Sequence, residues 1–167
     1  MRVLGIDPSL RSTGFGIIES DESGPRPVAY GVIRPTAGLP FFKKLAEIGE
    51  EVGKLIREYG AGEAAIENPF FAQNVKTALL LGQVRGAVLV AIAGTDCAFH
   101  EYSALEIKKA VTGYGQADKE QVQTMVKALL GLDDDRIPLD ASDALAAAIC
   151  HLNARLTHLK LEGQDPS

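Results

Sequence analysis

The chain has 167 residues, the length of one domain, and 46% of them are hydrophobic, enough to build a sizeable core. Seventeen Lys and Arg stand against 22 Asp and Glu, a formal net charge of −5, which speaks against a simple basic nucleic-acid binder. No basic segment followed by an apolar one opens the chain, no apolar run looks long enough to span a membrane, and the two cysteines, Cys97 and Cys150, read as free thiols of a reducing compartment, the cytoplasm.

The first strand is expected over residues 2–7, where Val3-Leu4-Gly5-Ile6-Asp7 is apolar until it meets one acid and then the breaker Pro8-Ser9. A second strand is expected over 13–19 and a third over 28–34. The turn-rich stretch Ser20 to Pro27 would connect them as a loose hairpin. From Pro40 to Tyr59, Phe41, Leu45, Ile48, Val52, Leu55 and Ile56 recur at helical spacing, and Gly60 ends the helix. Strand four is Ala64-Ala65-Ile66-Glu67, again an apolar run closed by an acid and a breaker. A second helix is expected from Asn74 to Ala93, whose apolar half, Gly86 to Gly94, reads as buried. Strand five covers 97–102. Further helices start after Ser103, after Asp118 and near Asp140, where Ser and Asp are good N-caps. Three meandering strands followed by αβαβα predict an α/β fold, with a mixed five-stranded sheet and helices on both faces. Residues 1–160 would form the domain and 161–167 a disordered tail.

Four acids stand out. Asp7 and Glu67 end strands that would lie together if parallel, and Asp140 and Asp143 are three apart, on one face of a helix. Each also admits a plain structural reading. Asp7 could form a turn with Ser9, Glu67 could be a solvated strand end, and Asp140 could be a helix cap. Together, carboxylates without matching cations repel one another, and hard divalent cations relieve that repulsion. Oxygen-only ligands suit magnesium or manganese. Two such ions about 4 Å apart support phosphodiester hydrolysis. His100, His151 and His158 show no metal-ligand cluster and read as structural or surface residues.

With these residues placed, the chain resembles the RuvC family of Holliday junction resolvases. The blocks that carry the resemblance are GIDPSLRSTGFGII, AIENPFFAQN, ALLLGQVRGAVL, EYSALEIKKAVTGYGQADKEQVQTMV and DASDALAAAI, in that order. The resemblance implies an RNase H-like fold. It implies two magnesium ions per subunit, with manganese able to substitute, on Asp7, Glu67, Asp140 and Asp143 as catalytic acids. It implies a homodimer that nicks two opposed strands of a four-way junction and leaves 5′-phosphate and 3′-hydroxyl ends. A two-fold dimer would match the two-fold symmetry of an open junction. The helix from Asn74, with Gly82 and Gly86 one turn apart, would supply the dimer contact. Phe70 would stack at the junction centre, and Lys108 and Lys119 would face the scissile phosphate. Gly113 and Gly115 would let backbone amides approach phosphate, and Arg11 and Lys76 are further candidates. A RuvA–RuvB branch-migration partner is implied as well, and no membrane. Gln73 departs from the family, which often carries a basic residue there.

Three other functions share part of the pattern. Phosphotransferases of the actin-like superfamily begin with a similar strand, but carry a Gly two residues after the Asp and need two domains. An RNase H-like nuclease of ribosomal RNA precursors shares the first motif. A junction-binding module without catalysis would not need all four acids.

Overall fold

In a computed structural model, residues 1–9, 11–68, 74–132 and 137–162 are described, the last four of them by backbone alone. The order is β1 (Arg2–Asp7), β2 (Thr13–Asp21), β3 (Gly24–Ile33), α1 (Phe41–Tyr59), β4 (Glu63–Asn68), α2 (Val75–Ala93), β5 (Ala98–Ser103), α3 (Ala104–Thr112), α4 (Lys119–Leu130) and α5 (Leu139–Glu162). The sheet order is β3-β2-β1-β4-β5. β1–β2 and β2–β3 are antiparallel, whereas β1–β4 and β4–β5 are parallel. The expected α/β architecture with a mixed five-stranded sheet is therefore the observed one.

Alternation along the strands sorts the core into two layers. Leu4, Ile6, Ala64 and Ile66 face α1 and α2, among Ile48, Val52, Val84 and Val88. Val3 and Ala65 face α3, α4 and α5, among Ile107, Val126 and Leu145. Each fully buried Ile or Leu side chain contributes about 1.5–3 kcal/mol of transfer free energy. Gly60 ends α1 in the left-handed region at φ 61°, its N–H bonded to the Ile56 carbonyl, as the sequence predicts. The predicted caps Ser103 and Asp118 both close capping boxes, with Glu106 and Gln121.

Four expectations change. The stretch expected as a loose connection is mostly strand, because β2 runs to Asp21 and β3 starts at Gly24. Pro25 and Pro27 are tolerated there because β3 is the sheet edge, where a missing N–H breaks no inner ladder. Asp140 is not the cap of α5, since Leu139 precedes it in the helix and Asp140 lies in the first turn. α5 continues through Glu162, past the boundary expected at residue 160. Finally, α2 is long and apolar enough by composition to cross a membrane, with mean hydropathy 1.6 over 19 residues. Val84, Val88 and Ile92 bury one side of it in the domain core.

α5 lies directly on the strands because glycine makes room. A Cβ on Gly5 would stand 1.8 Å from the Ala144 carbonyl oxygen, and one on Gly14 would stand 1.9 Å from that of Asp140. No side chain fits either gap, so the helix backbone rests on β1 and β2.

Candidate active site

The parallel pairing of β1 with β4 matches Ile6 to Ile66. The next residues in each strand, Asp7 and Glu67, therefore emerge side by side at the same sheet end. Both point toward α5, because each lies two residues along its strand from a residue packed there, Gly5 and Ala65. The first turns of α5 rest on the same end and bring Asp140 and Asp143 to them. Ser9 does not bond Asp7. Its hydroxyl closes a turn with the Ser12 carbonyl and accepts from the Ser12 N–H. Glu67 is half-buried rather than a solvated end.

A cleft of about 330 Å³ opens here, and its lining includes Asp7, Glu67, Asp143, Lys108, Lys119 and Arg85. Asp140 is not among the lining residues. It stands at the β2 side, where the Ser12 hydroxyl donates to its carboxylate. Lys119, the first residue of α4, reaches over the cleft and pairs with Asp143 at 3.2 Å. Arg85 Nη1 donates to the Glu67 carbonyl at 3.0 Å, and its other nitrogen pairs with Glu101.

The electrostatics are those of uncompensated acids. Burial, then the charges of Asp143, Asp140 and Glu67, push the Asp7 carboxyl from 3.8 up to about 7, and Lys119 only partly offsets this. Glu67 is raised for the same reasons, burial first and Asp143 next, with Lys119 and Lys108 opposing. Asp7 thus feels the other three acids at one sheet end, and every donor atom the four offer is an oxygen. That is the donor set of a hard divalent cation, and a shortage of positive charge is what such an ion supplies.

Of the cations expected at the site, Lys108 and Lys119 reach the cleft, while the further candidates Arg11 and Lys76 are not among its lining residues. Phe70 and Gln73 lie outside the described residues. The Gly113 amide is committed to capping α3 through the Lys109 carbonyl and is not free for phosphate. Arg85 and Ser12 were not singled out from sequence. A cation within the apolar run of α2 was the available signal for Arg85; Ser12 had none.

Two of the histidines, His100 and His151, do fall in a possible ligand cluster, contrary to expectation. Glu63, His100 and His151 each offer a ligand atom, all within 4.8 Å of one another, although they are scattered along the chain.

Comparison with known proteins follows the same geometry. The family model described as crossover junction endodeoxyribonuclease RuvC matches residues 3–151. The chain is 48% identical over 165 residues to a crossover junction endodeoxyribonuclease RuvC of Bordetella petrii, covering 98% of this chain and 89% of that one. It is 43% identical over 155 residues to that of Brevibacillus brevis, covering 93% of each. Among solved structures, Thermus thermophilus RuvC in complex with a Holliday junction substrate superposes with a TM-score of 0.88 at 29% identity, covering 95% of this chain and 96% of that one.

Proposed function

The chain belongs to the RuvC family of crossover junction endodeoxyribonucleases, the enzymes that resolve Holliday junctions, and from that premise we propose that Asp7, Glu67, Asp140 and Asp143 are its catalytic acids. The observation that carries this reading is Asp7: a carboxyl buried at a strand end, driven up to about 7 by burial and three other acids. A chain has no structural use for such a group, because burying charge without compensation costs stability. The donor set fits magnesium, two ions per subunit, with manganese as a substitute. When bound, magnesium supplies a water acidified toward hydroxide and a positive charge at the leaving oxygen of a phosphodiester.

The chain's own residues do the rest. The four carboxylates hold the cations at the sheet end. Lys119, paired with Asp143, stands where a scissile phosphate would enter and offers it a charge-assisted hydrogen bond. Lys108, also in the cleft lining, adds positive charge there. Arg85 fixes the Glu67 backbone and with it the strand end. Phe70, three residues past Glu67, stacks on a junction base. Symmetric nicking leaves 5′-phosphate and 3′-hydroxyl ends.

Two active sites require two copies. α2 offers the contact, because Val75 and Leu79 are 76% and 63% exposed, and Val90 is 75% exposed. Gly82 and Gly86 continue that stripe, with nothing within 4 Å of an added Cβ, so a second helix can approach closely. A homodimer through α2 both covers this apolar face and sets two clefts for two opposed strands. A cytoplasmic dimer with the RuvA–RuvB complex as its partner is part of the same reading, and membership of the family is what supports it.

The test is cleavage of a mobile-core four-way DNA junction, with and without magnesium, against a linear duplex. Paired cuts in opposed strands that need magnesium are expected. Tight junction binding with no cutting in magnesium or manganese would make the chain a binding module and refute the assignment of the acids.

A further inference from the structure

At the opposite end of the sheet from the acids, three elements bring together side chains that the nuclease chemistry leaves unused. Glu63 opens β4, two turns of the pleat away from Glu67 and on the same face. His100 lies on β5, where its neighbour across the ladder is Ala65, so it shares that face. His151 lies on α5, eight residues beyond Asp143, about 12 Å along the helix axis. His151 is buried, and the two imidazole centroids are 4.3 Å apart.

The inner atoms of all three converge. His151 Nε2 contacts Glu63 Oε2, and His100 Nε2 lies 4.0 Å from the same oxygen. The outer atoms are separately held. Tyr102 Oη bonds His151 Nδ1 at 2.8 Å, and Arg155 takes Glu63 Oε1. Outer partners of this kind orient metal ligands and leave the inner lone pairs free. The Arg155 side chain is 44% exposed, so water screens its charge at the rim. Burial and the neighbouring His151 hold His100 below its ordinary value. Burial opposes ionisation of Glu63, but the bond and charge of His151, with Arg155 and His100, hold its carboxyl below the usual range.

We propose that Glu63, His100 and His151 form a second metal site that takes a late first-row divalent cation, zinc foremost, and pins β4, β5 and α5 together. Two imidazoles and one carboxylate are a zinc donor set, unlike the oxygen-only set at the other end of α5. The half-exposed rim beside His100 leaves the fourth position to water. Binding replaces the proton between His151 and Glu63, which passes to solvent.

The test uses the whole chain, stripped with a chelator and titrated with cobalt(II). Wild type is expected to show the intense visible absorption of a four-coordinate site, saturating at one equivalent and displaced by zinc. His100→Phe should lose it. Tyr102→Phe, which keeps the ring but not the hydroxyl, should weaken binding by about 10–100-fold. Asp7→Asn should retain it, which separates this site from the nuclease centre. Circular dichroism confirms that each variant folds. No such absorption in wild type, or the same absorption in folded His100→Phe, overturns the proposal, as does its loss in Asp7→Asn.

Discussion

Asp7→Asn removes the charge while nearly keeping the shape. The carboxyl moves from 3.8 to about 7 on folding, about three units. At 1.36 kcal/mol per unit, the ionised group costs the metal-free fold up to about 4 kcal/mol. The sign follows from proton uptake. Between the two values the native state holds a proton that the unfolded state has lost, so stability falls as pH rises from about 4 and levels off above about 7. The variant should therefore be more stable than wild type in chelator at pH 8. At about 2–4 °C per kcal/mol for a chain of this size, its melting temperature rises by up to about 15 °C. Near pH 5 the gain shrinks to about 2 kcal/mol, and below pH 4 it vanishes. Thermal unfolding followed by circular dichroism across this range measures it, with junction cleavage alongside, which the variant should lose while still binding junctions. A variant no more stable than wild type at pH 8 would refute the claim that Asp7 is a stored electrostatic cost.

Lys119→Met should cut junctions about 100-fold more slowly while gel-shift affinity changes little, since one of several cations touches the reacting phosphate; equal loss of binding and cutting would make Lys119 a general DNA contact. Phe70→Ala should cut intact junctions poorly and be partly rescued by a pre-opened junction, and unchanged cutting of intact junctions would refute the stacking role of Phe70. Val90→Arg should turn a sedimenting dimer into a monomer, because it puts a charge into the exposed apolar stripe of α2. A dimer of unchanged affinity would move the interface elsewhere.

What the sequence discloses is what local pattern dictates. Apolar runs that end in an acid and a breaker gave Asp7 and Glu67, and the cap residues Ser103 and Asp118 gave two helix starts, because those signals act over a single turn. The extension of β2 and β3 into their connection was missed because Pro25 and Pro27 announce a loop to any local reading, and only their place on the sheet edge licenses them. The Glu63, His100 and His151 group was invisible for a related reason. Its members come from two strands and a helix, and nothing in their spacing betrays that the sheet and α5 converge there. Asp140 misled at the scale of one residue, since a good cap residue also serves as a first-turn acid.

Gly5 and Gly14 carry no functional group and touch no substrate, yet they set how far α5 stands from the strands. One methyl at either position must lift the helix, and Asp140 and Asp143 rise with it while Asp7 and Glu67 stay behind. In a screen for loss of function, these two glycines should score with the acids themselves, and no concentration of magnesium should restore them. The distance between the two halves of the active centre is thus written in residues that have no side chain at all.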